Sequence, residues 1–230
     1  MIEAKREMPP ALYDQEIECS YITEEEMVLI TTALMEKLQG GHKIFRETRR
    51  IVSCDPSTGG DECPIQAIEN GKIIEEVILN TNDVIYIAHQ MKAVGQKHNI
   101  EDYILDKIGI GQGTWNECNR TGMKVIGFDS RNTAINEEKF CNRRVEAWWY
   151  AYEQIRDREI PYMEDMELRR QLSAVRYGLG DKQGRLGLEE KDKTKLRLGQ
   201  SPDKADCFVM GQWGLKYVVP VGKERAREAE

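Results

Sequence analysis

Two apolar runs, 62–69 and Lys72 to Leu79, meet at Asn70-Gly71. No other stretch limits the fold as tightly, because a two-residue turn of this composition closes an antiparallel hairpin. Ile51-Val52 adds a strand before the pair. Asn82 is expected to cap a helix reaching His98, with Ile85, Ile87, Ala88, Met91 and Val94 on it. Tyr103-Ile104-Leu105 and Met123 to Phe128 then read as strands, separated by a helix through Trp115 to Arg120. Helical crossovers join parallel strands, whereas tight turns join antiparallel ones. The expected fold is therefore α/β: a five-stranded mixed sheet with helices on both faces. A long helix over Glu137 to Arg158, a β-hairpin around Gly184 and a last helix from Pro202 to Tyr217 complete the pattern.

Two aspartates stand at predicted strand ends. Asp55 follows Ile51-Val52 in RRIVSCDPSTGGD, and Asp106 follows Tyr103-Ile104-Leu105. Asp before Pro also starts turns, so Asp55 alone is open to a turn reading or a metal reading. If the two strands are parallel neighbours, their carboxylates meet at one sheet edge. SPDKAD (201–206) offers a third source, with Ser201 as N-cap, Pro202 in the first helical position, and Asp203 and Asp206 on one face. Taken alone, that segment reads first as a well-capped helix. Converging carboxylates without His or Lys repel one another unless divalent cations are present, and oxygen-only ligands select Mg²⁺ or Mn²⁺. Two such ions can clamp both oxygens of a phosphodiester displacement.

Composition narrows the partners. The net charge of -7 repels nucleic acid, so DNA binding needs a local basic patch. Residues 168–200 supply one, nine Lys/Arg against four acids. Arg185, Lys191, Lys193, Lys195 and Arg197 are the candidate backbone contacts, although charge runs are usually solvated faces. The six cysteines show no zinc spacing and read as reduced thiols. The three histidines read as structural or surface residues. Gly109, Gly111 and Gly113 lack the GxGxxG spacing of a dinucleotide loop. Trp148, Trp149 and Tyr152 read as core. No apolar run near 18 residues and no signal peptide is found in the sequence.

CDPSTGGD, LDKIGIGQG and SPDKADCFVM together resemble the nuclease domain of the large terminase subunit of tailed bacteriophages. The resemblance spans about residues 48–217 and is most specific at SPDKAD. It implies an RNase H-like fold and a metal-dependent endonuclease that cuts concatemeric viral double-stranded DNA during packaging. It implies Asp55, Asp106 and Asp206 as catalytic ligands of two Mg²⁺ or Mn²⁺ ions, with Asp61 and Asp203 as accessory acids. It also implies an N-terminal ATPase motor, the small terminase subunit and the portal as partners, no membrane, and the host cytoplasm as location. An isolated domain is expected to be a monomer. The chain has no GxxxxGK[ST] phosphate loop. Residues 1–47 are thus expected to join the nuclease domain (48–217) to a motor, with 218–230 as a tail. A junction resolvase of the same fold and a non-catalytic docking domain are the competing expectations.

Overall fold

A computed structural model describes residues 27–43, 47–58 and 60–219. The strands are β1 (Arg50–Cys54), β2 (Cys63–Glu69), β3 (Lys72–Leu79), β4 (Tyr103–Asp106) and β5 (Val125–Phe128), in the order β3-β2-β1-β4-β5. At the β2–β3 turn Asn70 and Gly71 both take positive φ, 47° and 83°, the backbone a two-residue hairpin requires. β1 pairs antiparallel with β2 and parallel with β4, which is parallel to β5. The sheet is mixed, as the turn and crossover patterns require.

Alternation along the strands feeds two apolar layers. Ile51, Ile68, Ile104 and Phe128 face α4 (Arg143–Arg156) and α7 (Asp203–Tyr217). Val52, Cys54, Ile65, Ala67, Leu105 and Val125 face α2 (Val84–His98) and α3 (Gly111–Arg120). α7 lies flush on the sheet because it carries glycine where it crosses. A Cβ on Gly211 would collide with Ile68, and one on Gly214 with Ile51.

Several elements differ from the sequence expectation. The cap of α2 is Asp83, whose carboxylate accepts from the Ile85 and Tyr86 amides; Asn82 lies one residue outside. α4 starts at Arg143, because Asn142 caps it by accepting from the Val145 amide. Glu146 holds the incoming chain by accepting from the Ile135 and Asn136 amides, so residues 137–142 do not join the helix. Two helices flank the hairpin region, where the sequence reading placed no element of its own. α5 (Met166–Leu172) is capped by Asp165 and buries Leu168 and Leu172. α6 (Lys191–Leu198) buries only Thr194 and ends at Gly199, so it has almost no apolar stripe to detect. The hairpin is shorter than expected: β6 (Tyr177–Leu179) against β7 (Leu186–Leu188). α7 has Pro202 at its N-cap position, without a side-chain cap.

Ahead of the sheet the described chain is only briefly helical. Residues 23–26 lie outside the described residues. α1 is a single turn, Thr32–Glu36, capped by Thr31 and followed by a 3₁₀ turn. Leu29, Ile30, Met35 and Leu38 sit in the same core as α4 and α7, so this segment packs into the body that carries the sheet.

Candidate metal centre

The register of the parallel strands sets two carboxylates side by side. Cys54 pairs with Leu105 and Asp106 with Phe128, so Asp55 and Asp106 follow one another across the sheet at its C-terminal edge. Such an edge holds side chains rigidly while leaving them open to loops and ligands. The Asp55 amide donates to the Pro64 carbonyl at 3.1 Å, which keeps it in line with β1. Asp106 Oδ1 accepts the Ile108 amide at 2.9 Å and turns the chain away from the strand. Gly111 packs on that turn, where a Cβ would collide with the Asp106 carbonyl oxygen.

The third carboxylate comes from α7. Ser53 Oγ donates to the Cys207 carbonyl at 2.7 Å and ties the end of β1 to the first turn of that helix. Asp206 thereby reaches the same cavity of about 290 Å³, whose wall includes Asp55, Asp106, Asp206, Lys191, Arg144 and Trp148. Asp206 is well furnished with donors. Its Oδ1 accepts Trp148 Nε1 at 2.9 Å and lies 3.6 Å from Arg144 Nη2. Its Oδ2 pairs with Lys191 Nζ at 3.0 Å, and the same ammonium lies 3.4 Å from Asp203 Oδ1.

These surroundings divide the carboxylates. Burial pushes the Asp55 carboxyl well above the usual range, and Asp106, Asp206 and Asp203 add to this against the pull of Lys191. Burial likewise raises Asp106 to about 6, with the Ile108 amide opposing. Burial would raise Asp206 too, but Lys191, Arg144 and Trp148 outweigh it and hold that carboxyl below its usual value. For Lys191 burial would lower the ammonium, and the charges of Asp206, Asp55 and Asp203 reverse that. Without a divalent ion the site therefore balances Asp206 with a lysine and favours protons on the strand-end acids.

The donor set is all oxygen, which suits Mg²⁺ or Mn²⁺. Among the described residues no three His, Cys, Asp or Glu side chains are gathered closely enough to hold one ion by themselves. Mg²⁺ commonly takes one or two carboxylates and completes its shell with water and phosphate, so the cavity fits that mode of binding.

A pH prediction follows from Asp106. Its folded value of about 6 lies above the unfolded value of about 4. The folded protein thus binds the extra proton, and the stability this confers is present below about pH 4 and lost as pH rises through 6. Metal-free protein at about pH 7.5 carries a cost on the order of 2 kcal/mol. Asp106→Asn is expected to raise the metal-free Tm there by roughly 5 °C and to leave it unchanged near pH 4. Thermal melts in EDTA at the two pH values check this; an unchanged Tm at both contradicts it.

The remaining site expectations are placed as follows. Asp203 is buried, at 6 % exposure, and meets Lys191 rather than the cavity. Asp61 does not line the cavity; Lys195 Nζ clasps both its oxygens at 2.8 Å. Arg185 pairs with Asp181, and Arg197 pairs with Glu189 through both nitrogens. Lys191 faces the carboxylates rather than solvent phosphate, while Lys193 is exposed on α6 beside Met27 and Leu196. Sequence reasoning missed Arg144 and Ser130 on the cavity wall and the bond from Trp148. The i, i+4 spacing of Arg144 and Trp148 on one helix face was the available signal. His89 is exposed and His98 pairs with Glu75; no histidine lines the cavity among the described residues. The five described cysteines are free.

No family model matches the chain, and no curated protein does. Solved structures do. A variant nuclease domain of the large terminase subunit gp2 of bacterial virus Sf6, with manganese and beta-thujaplicinol, superposes with a TM-score of 0.60 at 17% identity. It covers 83% of this chain and 97% of that one. The large terminase nuclease of thermophilic phage G20c with bound magnesium gives 0.55 at 11% identity, covering 75% and 84%. The Thermus phage P74-26 large terminase nuclease domain gives 0.55 at 10% identity, covering 83% and 97%. The chain shares the RNase H-like fold of these large terminase nuclease domains.

Proposed function

We propose that this protein is a divalent-metal-dependent endonuclease that hydrolyses phosphodiester bonds of double-stranded DNA during viral genome packaging. The observation that supports it is the meeting of Asp55, Asp106 and Asp206, from three distant segments, on one cavity of this fold. The solved relatives include nuclease domains bearing manganese and magnesium, which agrees with the oxygen donors here. Two Mg²⁺ or Mn²⁺ ions, when bound, supply an activated water and neutralise charge on the phosphoryl oxygens.

The chain's own groups do the rest. Asp55 and Asp106 offer oxygens from rigid strand ends, and Asp206 offers a third from α7. Trp148 holds Asp206 in one orientation through its Nε1. Lys191 balances the carboxylates in the metal-free site, and its flexible stem would let the ammonium give way to a divalent ion held there. Its side chain is 43% exposed, so it has somewhere to go. Lys193, exposed on α6, lies on the face that would meet the DNA backbone. No imidazole general base is called for. An ATPase motor, the small terminase subunit and the portal would bring DNA to this monomeric domain in the host cytoplasm.

The test is plasmid nicking. The purified protein is expected to nick supercoiled DNA with Mn²⁺, to stop in EDTA, and to lose activity steeply as salt rises. A folded sample that neither binds Mn²⁺ nor nicks DNA is a docking module. Preferential cutting of four-way junctions over linear duplex makes it a resolvase.

A further inference from the structure

Arg144 is more generously placed than its one ion pair among the described residues requires. It stands in the first turn of α4, and its amide donates to the Ser130 carbonyl at 3.1 Å. Its side chain lines the cavity at 19% exposure. Nη2 is fully enclosed and makes no hydrogen bond among the described residues. The carboxylate facing it, Asp206, is already served: Oδ1 by Trp148 Nε1 at 2.9 Å and Oδ2 by Lys191 at 3.0 Å. Arg144 stays 3.6 Å from that oxygen. A cation in the first turn of a helix also opposes the helix dipole, and an enclosed unpaired N–H carries a further cost.

Nη2 itself is closed off behind Asp206, but the exposed part of the guanidinium lines the cavity, where its other N–H groups can meet an oxyanion. The neighbouring Arg143 does not offer the same, since its guanidinium stacks on Trp213 at 5.4 Å and does not line the cavity. Ser130 shares the wall with Arg144 and adds a hydroxyl donor. A planar guanidinium can give two parallel N–H bonds to a phosphate, which an ammonium cannot.

We propose that Arg144 is the phosphate-binding residue of the site, donating to a non-bridging oxygen of the DNA strand being cut, with Ser130 beside it. This rests on the nuclease reading above. The competing role is structural: Arg144 only holds Asp206 in place.

Three measurements separate these. Mn²⁺ affinity is measured by calorimetry without DNA. Affinity for a short fluorescein-labelled duplex is measured in Ca²⁺ across a salt series. Plasmid nicking is measured in Mn²⁺. In Arg144→Ala, duplex binding is expected to weaken about tenfold, and the salt slope to fall by about one. Mn²⁺ affinity should hold or tighten, because a neighbouring cation is gone. Arg144→Lys should keep the salt slope and recover only part of the nicking. Unchanged duplex affinity and slope with weakened Mn²⁺ binding overturns the proposal. If Arg144→Ala does not fold, Arg144→Lys decides: duplex affinity equal to the parent's overturns it. If the parent fails to nick but its duplex binding depends on Arg144, the phosphate site stands and the nuclease reading falls.

Discussion

An Asp55→Asn variant is expected to lose Mn²⁺-dependent plasmid cleavage by at least about a thousandfold, a barrier increase of about 4 kcal/mol, while melting no lower than the parent. Both halves come from one fact. Asp55 is a carboxylate whose ionised form is disfavoured by burial and by three neighbouring acids. Asparagine keeps the shape, removes that repulsion, and leaves the backbone bond from residue 55 to Pro64 untouched. It also removes the charge on which a divalent ion would depend. The pair of measurements is a nicking time course and a thermal melt in EDTA, and a variant that cuts at the parental rate defeats the assignment. A variant that is inactive because it melts far below the parent would mean Asp55 supports the fold rather than the chemistry.

Trp148→Ala is expected to destabilise the fold by about 4 kcal/mol, lowering Tm by roughly 12 °C. The indole is 1% exposed and packed in the core that α4 shares with α7, so its removal leaves a large cavity. Trp148→Phe tests the polar half separately. It keeps an aromatic ring and deletes the Nε1 donor to Asp206, so stability should fall only by about 1–2 kcal/mol while Mn²⁺ affinity and nicking fall more. Urea melts of both variants with calorimetric Mn²⁺ titration report the difference. If Trp148→Phe titrates and cuts like the parent, the indole N–H does not orient Asp206.

The strands were readable because each carries its own evidence. Asn70-Gly71 is a local turn signal, and the apolar runs on either side need no distant partner to be recognised as extended. β3 accordingly spans Lys72–Leu79, as its residues suggested. α6 was not readable for the opposite reason. α6 buries one side chain, Thr194, so its sequence looks like a charged loop, and its helicity depends on the frame that holds its ends. The start of α4 was misjudged because Phe140 continues the apolar pattern, yet it bridges to Leu186 in β7.

Sequence alone determined that the sheet is mixed and that Asp55 and Asp106 each end a strand, because turn chemistry and crossover length give strand direction; that the two strands are neighbours was set by the sheet order. The acid pair in SPDKAD was equally plain, but not which aspartate reaches the cavity. That was decided by the seating of α7 on β1 through Gly211, Gly214 and the Ser53–Cys207 bond. The same seating puts Asp206 on the cavity wall with the strand-end acids, whereas Asp203 meets the same lysine without lining the cavity. Only the tertiary structure separated the basic residues 185–197 into Lys191 in the cavity, Lys193 in solvent, and Arg185, Lys195 and Arg197 in ion pairs. It alone brought Arg144 and Trp148 to Asp206, about sixty residues away in the chain. Residue type states which charges exist. Sheet register and helix crossing set the few ångströms that determine which of them meet.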